Sequence, residues 1–431
     1  RRLGRGLAAL LVRVLPEAEP RQRAKRQAAR RRAEPTATRV DKRWLWAALL
    51  IPLLVILFVA ISRYQYERSR QARFNQLLQG AQEAKASAET SPLLSEQRAK
   101  LHEALALLEL ALQIKPADQQ LVDEHQKIQE LLDSKNLVSR IFYFGGLKEF
   151  PDTGSAKCQL RRVIVHGIDV YVLDLGTDRV YKYLLNETRD GLQVLEGDPV
   201  LLRKGDQYGD VIVDELLDMA WAEAGAGVGT GRLLILDKQG HLLQYDPAAG
   251  LEPLPVADSN TWREPVAAVT YFTNLYLLDP GVNRVLKYEP TNTGYDAPPS
   301  DYLKPEASAN LSNTVDMSID GNVYVLHSDG TISKYHGGTP VTFLQSILDE
   351  PLRTPTGIFA SGYLDEEGNV YVTDAGNQRI VRFSKTGEFT RQYRGREPQY
   401  MNDLKGLFVD EAEKKLYLLN GSMLYLMHLA D

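Results

Sequence analysis

The stretch "GNVYVTDAGNQRIVRF", Gly368 to Phe383, decides the fold of this chain. Two runs of β-branched and aromatic residues flank a turn of Asp, Gly and Asn, which is the pattern of a β-hairpin. The phrase recurs along the C-terminal two-thirds of the chain, so it is one copy of a repeat. The copies are "VYVLDLGTDRVYKY" from Val170, "LLILDKQGHLLQY" from Leu233, "LYLLDPGVNRVLKY" from Leu275, "VYVLHSDGTISKY" from Val323, "VYVTDAGNQRIVRF" from Val370 and "LYLLNGSMLYLMHL" from Leu416.

The spacing of these copies predicts the architecture. The residue that opens the turn is Asp174, Asp237, Asp279, His327, Asp374 or Asn420, and successive positions are 63, 42, 48, 47 and 46 residues apart. A period of about 40–50 residues with several short strands in each unit is typical of a β-propeller with one four-stranded blade per repeat. We therefore predict an all-β, six-bladed propeller over residues 138–431.

The last repeat stops at the end of the chain and leaves its blade one strand short. The alternating aromatic stretch "SRIFYFGG", Ser139 to Gly146, precedes the first repeat and is the candidate for the missing outer strand. Its central residues are Ile141, Phe142, Tyr143 and Phe144. We expect this segment to complete blade six and close the ring, because closure removes exposed sheet edges.

Three of the turns share the pattern Asp-x-Gly-x-x-Arg-(Val/Ile), in "DLGTDRV", "DPGVNRV" and "DAGNQRI". This pattern resembles the turn of NHL-repeat propellers, a TolB-like group of folds, and the resemblance covers residues 138–431. The motif residues are Asp174, Arg179, Asp279, Arg284, Asp374 and Arg379. Asp accepts hydrogen bonds from turn amides, Gly supplies a positive φ, and Arg pairs with an acid or carbonyl of the next turn or blade. We expect these residues to hold the blades together, with exposed ligand contacts as the alternative.

The run "WLWAALLIPLLVILFVAI", Trp44 to Ile61, carries no charge and has nearly the length that a helix needs to cross a bilayer. We predict a transmembrane helix over residues 44–62, preceded by a basic segment at 1–43. Residues 1–43 hold fourteen Arg or Lys and four acids, a net of +10. The positive-inside rule therefore predicts a cytoplasmic N-terminus and places everything after Ser62 outside the cell membrane.

Residues 63–136 are rich in Ala, Leu, Gln, Glu and Lys, a composition that favours helices. Leu101, Leu105, Leu108 and Leu112 follow helical spacing, and the pattern resumes after Pro116. We predict a helical stalk that contains an antiparallel pair joined at "KPAD" and resembles one tetratricopeptide-type unit.

Composition excludes several functions. Since the whole chain carries −5 and residues 1–43 carry +10, residues 44–431 carry −15, which argues against nucleic-acid binding by the main domain. The single cysteine, Cys158, excludes an internal disulfide and a cysteine-based zinc site. We expect no catalytic residue, cofactor or metal in this chain. Five histidines lie in the propeller region without a paired His-x-His spacing: His166, His241, His327, His336 and His428.

The aromatic residues Trp221 and Trp262 lie near the starts of blades and are candidate surface contacts for a protein, peptide or glycan. The alternative is that they fill spaces between blades.

The order of basic segment, membrane helix, stalk and propeller is similar to that of the C-terminal half of bacterial signalling proteins. "GDVIVDELLDMAWAE" and "LKGLFVDEAEKKLYLL" add to this resemblance. In such proteins a serine/threonine phosphatase of the PPM type, or a receptor kinase, lies on the cytoplasmic side. The resemblance implies a sensor module in the bacterial plasma membrane, with no enzyme activity in this chain. Two alternatives stay open: a membrane-tethered, metal-dependent propeller lyase or hydrolase, and a passive envelope scaffold.

Overall fold

The computed structural model describes residues 42–194, 196–225, 230–364 and 367–429. Its contacts divide the chain into two compact units, Arg1–Ala72 and Arg73–Asp431. The predicted basic segment lies almost entirely outside the described residues.

Helix α1 spans Lys42–Thr90 and continues through Pro52 without a break. The part from Leu50 onward contains an 18-residue window that is apolar enough to cross a membrane, and none of that window is buried in the chain. The helix is therefore consistent with a membrane anchor. A signal sequence meets the same criterion of length and composition. The predicted boundary at residue 62 falls inside this helix.

The second unit begins with a bundle of three helices. The last turns of α1 pack with α2 (Leu94–Ile114) and α3 (Gln119–Lys135). Asp118 caps α3 by accepting a hydrogen bond from the amide of Leu121. The buried faces of the helices meet in one core, formed by Phe74, Ala81, Ala84, Ala88, Leu101, Ala104, Leu105, Leu108, Ala111, Leu121, Ile128 and Leu132.

The strands follow in chain order. Two precede the first blade: β1 (Val138–Ile141) and β2 (Gly145–Glu149). Blade one contains β3 (Leu160–His166), β4 (Asp169–Asp174), β5 (Arg179–Leu184) and β6 (Val200–Arg203), and a small hairpin of β7 (Gln207–Tyr208) and β8 (Val211–Ile212) follows it. Blade two contains β9 (Leu216–Ala222), β10 (Arg232–Asp237), β11 (Leu242–Asp246) and β12 (Gly250–Leu254). Blade three contains β13 (Ala267–Tyr271), β14 (Asn274–Asp279), β15 (Arg284–Tyr288) and β16 (Ser300–Asp301).

The remaining strands complete the ring. Blade four contains β17 (Thr314–Ile319), β18 (Asn322–His327), β19 (Ile332–His336) and β20 (Thr339–Val341). Blade five contains β21 (Pro355–Ala360), β22 (Val370–Asp374), β23 (Arg379–Phe383) and β24 (Phe389–Gly395). Blade six contains β25 (Leu404–Asp410), β26 (Lys415–Asn420) and β27 (Met423–His428).

Strand pairing confirms the predicted fold. Among the described residues, six sheets each pair their consecutive strands antiparallel, from an inner strand that begins the blade to an outer strand. The central strand of each blade is buried on both faces, because neighbouring blades pack face to face; β14, for example, reads "NLYLLD" and only its first residue is not buried. A six-bladed propeller accounts for the near-continuous apolar runs that the repeats show.

The closing strand differs from the prediction. Strand β2, Gly145–Glu149, pairs antiparallel with β27 and supplies the fourth strand of blade six. Ile141 instead belongs to β1, which pairs parallel with β24 and adds a fifth strand to blade five. Phe142 and Tyr143 lie between the two strands and are 73% and 75% exposed. The predicted central residues, Ile141 to Phe144, therefore lie one to four positions before the closing strand, which starts at the two glycines that end the predicted stretch. The backbone ladder of this strand needs no aromatic side chains.

Phe144 packs beneath the closing strand. Its ring stacks on Tyr400 with centroids 4.7 Å apart and meets Tyr425 edge-on at 5.9 Å. This aromatic cluster fixes the segment that leads from blade five to blade six.

The helical bundle joins blade five through β1. Arg140 donates two hydrogen bonds to Asp133 at the end of α3, with lengths of 2.6 and 2.8 Å. Gln392 of β24 donates to the carbonyl of Asn136, which connects α3 to β1. The fifth strand of blade five is thus the link between bundle and ring.

Candidate functional site

All six turn-opening side chains tie their own hairpin turn to the segment that leads into the inner strand of the same blade. Asp174 accepts from the amides of Gln159 and Gly176, at 2.7 and 2.9 Å. Asp374 accepts from the amide of Arg353 at 2.7 Å. The third motif residue, Asp279, accepts from the amides of Arg263 and Glu264. The positions that depart from the motif make equivalent contacts: Asp237 with the amide of Asp214, His327 with the side chain of Asn313, and Asn420 with the amide of Asp403. These six residues, named here the turn layer, each tie a turn to the entry segment of their own blade.

The motif glycine has a different role from the predicted one. A Cβ added at Gly176 would lie 1.9 Å from the carbonyl oxygen of Lys157, and one at Gly376 would lie 2.6 Å from that of Arg353. The positive φ falls two residues later, at Asp178 (50°) and Gln378 (53°). Glycine is therefore required because two backbones approach closely, and the expectation of a positive φ at this position is wrong.

The motif arginines have three different environments. Arg379 is 1% exposed and donates to Asp374 at 2.7 Å and to Gln392 at 3.0 Å, both in its own blade. Arg179 donates to Thr153, and Arg284 pairs with Asp301 at a partly exposed outer edge. Arg379 also donates to the carbonyl of Glu350, in the segment that connects blades four and five, whereas the partner of Arg284 lies in its own blade.

The two candidate tryptophans lie in different environments. Trp262 is 8% exposed and its indole nitrogen donates to the hydroxyl of Tyr288 at 2.7 Å, so it fills the space between two blades and is not a surface contact. Trp221 is half-buried at the end of β9, where its ring stacks on the exposed His166 with centroids 3.9 Å apart.

The centre of the ring holds a cluster that no repeat predicts. Arg162, at the start of β3 in blade one, donates two hydrogen bonds to Asp218 of blade two, at 2.5 and 2.6 Å. Its Nη2 also donates to Asp316 of blade four at 2.9 Å. We name Arg161, Arg162, Asp218 and Asp316 the channel cluster.

Arg161 extends the cluster across the ring. Its guanidinium donates to the carbonyl of Thr356 in blade five, to that of Val315 in blade four and to that of Val266, just before the first strand of blade three. It also donates to Asp316 at 3.1 Å. Two consecutive arginines of blade one therefore contact four other blades.

The aspartates of the cluster use their oxygens fully. Asp218 accepts from the amides of Met219 and Ala268 at 2.9 Å as well as from Arg162. Asp316 accepts from the amide of Ile358 at 3.0 Å. Burial would raise the pKa of Asp316, but the charges of Arg162 and Arg161 outweigh it and hold that pKa below its ordinary value. Burial lowers the pKa of Arg162, and Asp218 and Asp316 reverse this and raise it.

A cavity of about 400 Å³ opens above this cluster at the end of the ring opposite the turn layer. We name it the channel pocket. Its wall takes residues from the inner strands of all six blades, and Arg162 forms part of its lining. The half-exposed wall residues are mostly apolar: Val165, Trp221, Val269, Ile319, Phe359 and Phe408. Each hydroxyl in the wall makes one hydrogen bond to a blade backbone, since Thr270 donates to the carbonyl of Trp221 and Ser318 accepts from the amide of Ala360.

Within the described ranges, no three His, Cys, Asp or Glu side chains lie close enough together to hold a metal ion. Of the five histidines, His166 lies at the mouth of the channel pocket, and His241 and His327 take part in the turns of blades two and four.

The channel cluster was missed by the sequence analysis, although a signal exists. Each charged residue interrupts an apolar inner strand, in "LRRVIVH" of β3, "LLDMAWA" of β9 and "TVDMSI" of β17. Charges inside buried strands are rare unless they are paired. Their partners could not be assigned, because Arg162 and Asp316 are 154 residues apart.

No family model matches the chain, and no curated protein matches it. Among the solved structures similar to it, a virginiamycin B lyase from Staphylococcus aureus has 12% identity and a TM-score of 0.39, over 67% of this chain and 89% of that chain. A gluconolactonase from Xanthomonas campestris has 13% identity and a TM-score of 0.40, over 68% of this chain and 99% of that one. An auxiliary nutrient binding protein from Bacteroides thetaiotaomicron has 10% identity and a TM-score of 0.42, over 67% and 74%. At these identities and scores the similarities carry no conclusion about function, and the fold rests on the strand pairing of this chain.

Proposed function

We propose that this chain is a membrane-anchored binding module whose propeller takes its ligand in the channel pocket. The observation that carries the proposal is the pocket itself, about 400 Å³ in volume and lined from all six blades. This volume lies in the range of small-molecule sites, roughly 300–1,000 Å³. A mostly apolar wall with few polar groups is also typical of such sites.

Binding fits the channel better than metal-assisted catalysis does. The carboxylates of the channel cluster, Asp218 and Asp316, already bind Arg162 and backbone amides. A metal ion needs carboxylate lone pairs that are not occupied in this way. We propose that these carboxylates build the floor of a binding site.

The anchor is the second part of the proposal. We propose that α1 crosses the bacterial plasma membrane once, with the N-terminus in the cytoplasm and the propeller outside. The apolar run of α1 and the net charge of +10 in residues 1–43 support this orientation. The resemblance to bacterial signalling proteins supports a sensor role that is coupled to a PPM-type phosphatase or a kinase on the cytoplasmic side.

The binding proposal is tested with the full chain in lipid nanodiscs. A panel of small acids, amines, sugars and short peptides is screened for compounds that raise the melting temperature, because a ligand that binds only the folded state stabilises it. The screen is repeated with Val269→Phe, which fills the pocket wall, and with Val341→Phe, a control on the outer edge of blade four.

We expect compounds that stabilise the natural chain and Val341→Phe but not Val269→Phe. Equal stabilisation of all three proteins by every active compound would place binding elsewhere and overturn the proposal. Protease treatment of sealed spheroplasts tests the orientation, since digestion of the propeller from outside is expected and full protection would contradict it.

A further inference from the structure

The charged group at the floor of the channel pocket is the guanidinium of Arg162, which offers only donors. The indole nitrogen of Trp221, in the wall, is a second donor without a partner among the described residues. Arginine carries five N–H donors. In Arg162 the Nε and Nη2 atoms bind Asp218 and Asp316. The remaining nitrogen, Nη1, makes no hydrogen bond to any of the residues that the structure describes, while Arg162 lines the pocket.

The acceptors around this nitrogen are already in use. Both oxygens of Asp218 and both oxygens of Asp316 accept hydrogen bonds from the arginines or from backbone amides. A group that enters the pocket to complete the floor must therefore bring an acceptor oxygen. Guanidinium donors form charge-assisted hydrogen bonds with carboxylates and phosphates, and a carboxylate is the smaller of these groups.

The wall specifies the rest of the ligand. Most of the half-exposed wall is apolar surface, from Val165, Val269, Ile319, Phe359 and Phe408. The hydroxyl of Thr270 donates to the carbonyl of Trp221, and that of Ser318 accepts from the amide of Ala360. From Arg162 to His166 the inner strand β3 advances four residues, about 13 Å at the usual rise of a strand. The pocket therefore suits a narrow apolar body with its polar end pointing toward the floor.

We infer that the channel pocket binds a small molecule with an apolar body and a terminal carboxylate, which accepts a hydrogen bond from Nη1 of Arg162. The inference rests on the proposed function and specifies the class of its ligand. Glu223, which is exposed at the mouth of the pocket, carries a negative charge that would repel a carboxylate. It lies five residues beyond Asp218 along β9 and the turn after it, about 17 Å at the rise of a strand, where solvent ions screen it.

The test uses three probes with one apolar body: 4-phenylbutyrate, 4-phenylbutanol and 4-phenylbutylamine. Their dissociation constants are measured by calorimetry with the full chain in nanodiscs, and empty nanodiscs correct for partition into lipid. Loss of a charge-assisted hydrogen bond weakens binding roughly 10-fold to 100-fold, so the butyrate is expected to bind that much more tightly than the alcohol. The amine is expected to bind weakest.

Variants identify the atom that is responsible. Arg162→Lys keeps the charge beside Asp218 but removes the Nη1 donor, so it is expected to weaken the butyrate at least about 10-fold and the alcohol, a neutral acceptor, by less. Arg203→Lys, in an ion pair with Asp198 on the outer strand of blade one, is the matched control and should change neither. Glu223→Gln should strengthen the butyrate by no more than about twofold, because the carboxylate is screened.

Two results would overturn the inference, and they differ in what they leave standing. If butyrate and alcohol bind equally well and Val269→Phe blocks both, the pocket binds ligands but the carboxylate class is wrong. If no probe binds, or if Val269→Phe leaves butyrate binding intact, both the ligand class and the site are wrong. The comparison of probes on the natural chain needs no variant, so it decides the question even if Arg162→Lys fails to fold.

Discussion

The turn layer and the channel cluster hold the same propeller together in opposite ways. The turn layer repeats one contact six times, and each of its side chains ties a hairpin to its own blade. The channel cluster occurs once, and Arg161 and Arg162 connect blade one to four other blades. The difference shows that repeated residues build the blade, whereas residues that break the repeat fix the ring and shape its pocket.

The largest loss of unfolding free energy is expected for Asp316→Ala. The substitution leaves Arg161 and Arg162 without the acceptor that they share, and removal of one partner of a buried ion pair lowers the free energy of unfolding by about 3–5 kcal/mol. Urea unfolding of the full chain in detergent micelles measures it. Asp301→Ala, which removes the exposed partner of Arg284, is the control and should lose less than about 1 kcal/mol. Similar losses in the two variants would remove the distinction between channel and blade edge.

Substitutions in the turn layer are expected to lower the free energy of unfolding by less. Asp374→Ala removes the acceptor of the Arg353 amide and of the buried Arg379, so the free energy of unfolding should fall by about 3 kcal/mol. Asn420→Ala removes a neutral acceptor of one amide and should cost about 1 kcal/mol. The same urea titration compares them, and a larger loss for Asn420→Ala would contradict the assigned roles.

The motif glycine gives a third comparison. Gly376→Ala forces a Cβ against the Arg353 carbonyl and should cost about 1–3 kcal/mol through steric strain. Gly146→Ala, whose Cβ would meet only the flexible end of Met423, should stay within about 0.5 kcal/mol. Thermal unfolding of both variants tests this, and an unchanged melting temperature for Gly376→Ala would show that the two backbones can separate.

The acid dependence of stability should depend on Asp316. Its pKa is lower in the folded chain than its ordinary value of about 3.9, so its stabilising effect is complete above that value and is lost as the pH falls through the folded pKa. Asp316→Asn removes this carboxylate and should flatten the decline of the unfolding free energy below about pH 4 relative to the natural chain. An identical acid profile for both proteins would mean that the arginines do not depress this pKa.

The sequence predicts the blades well because every blade repeats the same local sequence pattern. A hairpin turn, a buried central strand and a glycine where two backbones meet lie within about fifty residues of one another. The role of Asp374 could therefore be inferred from residues beside it, such as Gly376 and Arg379. The error over the closing strand has the same origin, since side-chain alternation led to Ile141 and Phe142, while the ladder is made by the backbone of Gly145–Glu149.

The channel could not be predicted in this way. Arg162, Asp218 and Asp316 come from three blades, and only closure of the ring brings them together. The charges inside apolar strands indicated that each needs a partner, but neither spacing nor period says which. The pocket is likewise a product of six strands whose patterns, taken singly, are those of ordinary blades.

A double-mutant cycle between Arg162 and Asp316 tests the central claim most directly. The unfolding free energies of the natural chain, Arg162→Gln, Asp316→Asn and the double variant are measured in urea, with the exposed pair Arg284 and Asp301 as the reference cycle. The account predicts a coupling energy of at least about 1 kcal/mol across the channel and less than about 0.5 kcal/mol at the blade edge. A channel coupling within about 0.3 kcal/mol of zero would contradict it.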